Sequence, residues 1–197
     1  MIELWIKLAY SALLAVILPT YVRWWGWKNF LWFSDIALIA TGIALWLHSS
    51  LLASMMALAV LLPELVWSAS YFGRLLFGLR VTDLAGYMFD TRKPRFLRAL
   101  SLFHVVLPVV LLWMLHELGY DRRALIAQTL LAWIVLPVSY AVTTPQDENI
   151  NWVRVPARLR QRMPPLAWLA LAMLAFPIGL YLPTHVALQA LFSPASR

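Results

Sequence analysis

The sequence contains no cysteine. Disulfides, thiolate metal sites, iron–sulfur clusters and a cysteine nucleophile are therefore excluded, and the redox compartment leaves no mark on the chain. Charge is scarce too. Asp, Glu, Lys and Arg make up 13% of the residues and hydrophobic residues 62%, whereas soluble domains carry about 25% charged and about 45–50% apolar residues. With a mean hydropathy of +0.75, the chain is built for lipid, and we read it as an all-α integral membrane protein. H-E-x-x-H, G-x-S-x-G and the glycine-rich phosphate loop are all missing, so the motifs of soluble enzymes are absent and no cofactor is expected. No linker, low-complexity tract or internal repeat divides the 197 residues, and one transmembrane helical domain, 1–197, is expected.

Apolar runs of about 20 residues are needed to cross ~30 Å of hydrocarbon. Six candidates are present, at approximately 3–22, 29–47, 51–70, 98–117, 123–143 and 166–191. The first does not resemble a cleaved signal, because Glu3 precedes Lys7, the run ends in LPTYVRWW and no A-x-A site follows. Tryptophans gather near the ends of the runs, as interfacial aromatic belts do. A six-helix bundle puts three loops on one side. They hold Arg23, Lys28, Arg74, Arg80, Arg92, Lys93, Arg95, Arg98, Arg154, Arg158, Arg160 and Arg162, leaving Lys7, Arg122, Arg123 and Arg197 opposite. The positive-inside rule then places the large basic loops in the cytoplasm and both termini outside, in a bacterial-type cytoplasmic (inner) membrane. The net charge of +7 is explained by this orientation and by contact with anionic lipid headgroups, so membrane lipids are the expected partners and nucleic acid is not. Both homo- and hetero-oligomers are compatible with the sequence.

Within the greasy runs a few ionisable residues stand out. WFSDIALIA carries Asp35, LLPELVW carries Glu64 and SLFHVVLP carries His104. All three fall in the half nearer the basic loops, where Ser139 and Tyr140 of LPVSYAV also approach. Each costs about 2.5–3.5 kcal/mol on insertion scales and is a functional-site hypothesis by default. Pro108 deprives the carbonyl of residue 104 of its helical donor, and Ser101 lies one turn before His104, so a polar notch is expected there. Pro63, Pro137 and Pro177 interrupt other spans and favour an internal cavity. A purely structural role competes with this reading, because small bundles bury polar residues to lock helices together, at about 0.6 kcal/mol per hydrogen bond.

WFSDIAL resembles the L-C-D-I-A-L segment of a family of small six-helix bacterial membrane proteins related to lipid-remodelling transmembrane acyltransferases. KPRFLRALSLFHVVLP is similar to that family's basic-then-F-x-x-H helix, and DENINWV sits where the family often has an asparagine followed by an aromatic. The resemblance implies a nucleophile activated by histidine, with Ser34 standing at the cysteine position and His104 at the histidine. Serine needs an adjacent base and an oxyanion hole to act.

The residues themselves allow a similar chemistry. Ser34 would be the nucleophile, His104 the general base, and Glu64 or Asp35 the group that orients the imidazole, for acyl transfer or lipid ester hydrolysis. Ser34 and Asp35 point 100° apart on a helix, so both cannot face the same partner squarely. Arg95 and Arg98, together with Tyr140 and Asn151, are the candidates for binding substrate, although topology alone also accounts for the arginines. YFGRLLFGLRV at 71–81 is either a short interfacial helix or an extension of the third span. In TTPQDENINW, Asp147, Glu148, Asn149 and Asn151 either bind a cation or headgroup or form a solvated turn. His48, His116 and His185, with Glu117, would make an outer zinc site only if three separate helices converged, and no ligand spacing supports it, so no metal is expected. The competing functions are a proton or cation conduit through Asp35, Glu64 and His104, and a non-catalytic scaffold subunit.

Overall fold

The computed structural model describes residues 2–146 and 148–192. Asp147, named above as a cation ligand, and Arg197, counted in the charge asymmetry, lie outside the described residues. Among the described residues eight α-helices follow in order: α1 Leu4–Trp25, α2 Phe33–Leu47, α3 Ser50–Phe77, α4 Arg95–Leu100, α5 Phe103–Leu118, α6 Ala124–Val142, α7 Pro165–Ala175 and α8 Leu182–Phe192. Among the described residues there is no strand.

Among the described residues five helical stretches are long and apolar enough to cross a membrane, namely α1, α3, α4 with α5, α6, and α7 with α8. The remaining apolar helix, α2, has 15 residues and rises about 22 Å at ~1.5 Å per residue. It begins four residues later than the apolar run because Gly26, at φ 79, ends α1 and residues 27–31 form a 3-10 turn. The run at 98–117 likewise differs from one straight helix. It starts at Arg95 and breaks at Ser101–Leu102 before α5 resumes, nearly two turns ahead of Pro108, whose missing N–H leaves the carbonyl of residue 104 without its helical donor. At Pro177 a π-segment, Phe176–Tyr181, joins α7 to α8, the re-registering that a proline inside a long helix requires. Residues 71–77 extend α3 and form no separate interfacial helix. α3 stops at Gly78, whose φ of 68 suits a residue without Cβ and whose N–H returns to Arg74 O.

α3 is the central helix. In its most apolar window 56% of the residues are buried, against 17% in α1. Ala53, Ala57 and Ala59 keep its surface low enough for α2, α5 and α6 to pack closely around it. Large side chains such as Trp5, Ile126 and Leu166 face outward, as a lipid-solvated surface demands. The helices alternate in direction, so the turn at 26–32 and the segments 78–94 and 143–164 share one end, here termed the basic end. The tight connections at 48–49 and 119–123 share the other.

Candidate functional site

The site builds outward from α3. Glu64 lies on the face of α3 turned toward α5 and is 2% exposed. Its Oε2 is 2.8 Å from Nδ1 of His104, in the first turn of α5. An ionised carboxylate only accepts, so in the neutral tautomer that suits this contact Nδ1 carries the proton and Nε2 presents its lone pair. Nε2 has no hydrogen-bond partner among the described residues. The imidazole stacks on Trp67, one turn beyond Glu64, with centroids 4.7 Å apart, and on its neighbour Phe103 at 4.0 Å. Two rings and a carboxylate therefore fix its orientation.

Asp35 completes the ionisable group. It sits in the first turn of α2 and is 4% exposed, within electrostatic reach of His104 and Glu64. Its Oδ2 accepts from Asn29 Nδ2 at 3.0 Å. Asp35 Oδ1 is buried without a partner among the described residues. Beside it, the hydroxyls of Tyr21 and Ser101 lie 3.0 Å apart, tying α1 to the break between α4 and α5. Ser101, expected to line a polar notch with His104, bonds Tyr21 and, at 3.5 Å, Leu97 O.

The other sequence-nominated residues divide. Ser34 is half-buried and its hydroxyl makes no hydrogen bond among the described residues, His104 included. Asn151 is committed to structure: its Oδ1 accepts from Phe33 N at 3.2 Å, and its Nδ2 donates to Leu31 O at 2.6 Å and Ser139 Oγ at 3.4 Å. A residue 118 positions away in sequence therefore caps α2. The Tyr140 ring lies under the guanidinium of Arg154 at 4.8 Å. The same guanidinium donates to the carbonyls of Tyr140 and Thr143 at the end of α6, where cations are favoured. Arg98 donates to Met88 O at 2.8 Å, and Arg95 is exposed. Within 144–153, Asn149 exchanges hydrogen bonds with the backbone of Arg154, and burial raises the Glu148 carboxyl while Lys93 opposes the rise.

At the far end, His48 Nε2 pairs with Lys7 Nζ at 3.1 Å, and His185 Nδ1 with the Tyr120 hydroxyl at 2.6 Å. Among the described residues no group of three His, Asp or Glu side chains is arranged to hold a metal, so the three outer histidines do not converge.

Sequence reasoning missed Trp67, Asn29 and Tyr21. Trp67 was readable from its +3 spacing to Glu64 on one helix face. Asn29 lies in a 3-10 turn, where helical spacing says nothing, and Tyr21 meets Ser101 across 80 positions. Comparison with protein-family models, curated proteins and solved structures finds no match to this chain.

Proposed function

We propose that the protein is a membrane-embedded lipid acyltransferase or lipid hydrolase, with its reaction centre in the cytoplasmic half of a six-span bundle. In this topology α2 spans together with the turn before it, the basic end faces the cytoplasm and both termini lie outside. The observation that carries the reading is the 2.8 Å contact between Glu64 and His104. It is the carboxylate–imidazole pair of a general base, with Nε2 left for the reacting proton. Ser34 is the proposed nucleophile. Its Oγ attacks the ester carbonyl, its proton passes to His104 Nε2, and the departing alcohol takes that proton; water or a second lipid alcohol then releases the acyl group by the reverse transfers. Asp35 Oδ1 is the acceptor open to a substrate hydroxyl, and Arg95 and Arg98 lie where headgroup phosphates gather. A conduit is less well supported, because between Asp35 and the outer Lys7–His48 pair the α1–α2 seam is closed by Leu14 against Gly42.

The test is turnover by purified protein in vesicles of phosphatidylethanolamine and phosphatidylglycerol doped with lysophospholipid, with acyl products followed by mass spectrometry. His104→Ala is expected to reduce product formation by about 10²–10⁴-fold, the usual worth of a general base. Ser34→Ala is expected to abolish the acyl-enzyme. Retained turnover in Ser34→Ala would move the attacking role to the lipid acceptor. An unchanged product profile in His104→Ala would overturn the reading, and proton flux abolished by Asp35→Asn would establish a conduit instead.

A further inference from the structure

We propose that the seam between α1 and α2, at the end away from the basic loops, binds one anionic phospholipid, with an acyl chain in an apolar groove and the phosphate on Lys7 and His48. The proposal stands whether or not the protein transfers acyl groups.

The groove is open along its side and offers about 310 Å³. Leu14, Ile39, Ile43, Trp46 and Leu47 line it. The polar atoms at its wall satisfy each other, because Trp46 Nε1 donates to Ser11 Oγ at 3.0 Å. What remains suits a hydrocarbon chain and offers nothing to a polar ligand. The two helices approach closely here because Gly42 has no side chain: a Cβ would lie 2.5 Å from Leu14 Cδ1.

The mouth has the opposite chemistry. Lys7 stands one helical turn before Ser11, and His48 directly follows Leu47, so both sit where the groove meets the membrane surface. Lys7 Nζ lies 3.1 Å from His48 Nε2 and 5.5 Å from the Trp46 ring centroid. His48 reaches it by adopting φ 50 at the end of α2, a conformation that histidine tolerates better than most side chains. A lysine ammonium has three donors, and the imidazole nitrogen takes one. Among the described residues no carboxylate pairs with Lys7. A cation held by two rings at the membrane surface, above an apolar groove, matches a lipid phosphate above its acyl chain, and an ammonium with no carboxylate in ion-pair contact favours a headgroup with net negative charge.

The experiment is native mass spectrometry of the full chain in detergent micelles, offered phosphatidylglycerol or phosphatidylcholine with identical acyl chains. The wild type is expected to retain phosphatidylglycerol about tenfold better. Lys7→Gln should lower that preference about fivefold, the contribution of one cation at an anionic surface. Ile43→Trp, which alters a side chain 49% exposed, should abolish retention of both lipids by filling the groove. An unchanged thermal midpoint in both variants confirms that the bundle is intact. The proposal is overturned by an unaltered preference in Lys7→Gln, by wild-type retention in Ile43→Trp, or by displacement of the lipid with inorganic phosphate at equal concentration, which would assign the cation to free phosphate.

Discussion

The two ends of the bundle solve the same problem in different ways. At both, chain reversals must satisfy the backbone groups left over by helix termini. At the end away from the basic loops Ser49 Oγ accepts from Leu52 N, a local cap at the start of α3, and Asp121 N reaches 67 positions back to donate to Ser54 Oγ. At the basic end the start of α2 is capped by Asn151 from 118 positions away, while Arg154 closes α6 and Arg98 holds the 78–94 segment through Met88 O over shorter spans. Long segments folded back over the bundle separate its polar interior from the surface. That is the end where Asp35, Glu64 and His104 lie buried. Ionisable groups are tolerated in the apolar bundle where tertiary structure supplies their partners, and chemistry becomes available where those partners leave one atom over, as at His104 Nε2.

Breaking the charged core should separate the ends most clearly. Glu64→Ala strands the imidazole N–H of His104, and leaving a buried donor unsatisfied costs about 1–3 kcal/mol. Denaturation of the micellar protein should show a lower midpoint, and His104 should lose its orientation along with its partner. Glu64→Gln keeps an acceptor and should recover most of the stability while turnover stays low. Recovery of both would mean that the carboxylate serves packing alone. Next in size is Asn151→Ala. It removes a helix cap worth about 0.5–2 kcal/mol and leaves Leu31 O and Phe33 N buried without the amide, so its midpoint should fall further than that of Ser49→Ala, the local cap at the other end. Equal losses would erase the distinction between long-range and local closure.

The membrane character of the chain and nearly every helix were legible in composition and run length, because lipid leaves helices as almost the only way to satisfy a backbone. The level shared by Glu64 and His104 could also be read, since each lies a countable number of turns from a charged boundary. What could not be read depends on contacts between distant positions. Asn151 looked like a substrate contact because a polar residue in a loop carries no record of the helix it caps. The 3-10 turn at 27–31 was hidden inside an apolar run, and with it the Asn29–Asp35 bond. The break at Ser101–Leu102 left only Pro108 as a trace, although it decides that His104 begins a helix instead of lying in the middle of one.

The smallest expected effect is an internal control, because one motif occurs at both ends. In Asp90-Thr91-Arg92 and in Asp121-Arg122-Arg123 the arginine backbone N–H and guanidinium both return to the aspartate two positions before, with closest contacts of 2.9 Å and 2.7 Å. In each pair the arginine holds the carboxyl below its ordinary value, for Asp90 from 3.8 to about 2. A depressed carboxyl contributes stability that is present above its unfolded pKa and lost as pH falls through the folded one, so any contribution of Asp90 disappears between about pH 4 and pH 2. Both arginines are largely exposed, at 87% and 78%, and exposed pairs are screened by salt. Asp90→Asn and Asp121→Asn should therefore leave the midpoint at pH 7 unchanged and flatten only the acid limb, at low ionic strength. If Asp90→Asn instead lowered the neutral-pH midpoint while Asp121→Asn did not, the 78–94 segment would depend on its ion pair as well as on Arg98, and the basic end would be more tightly tethered than its hydrogen bonds indicate.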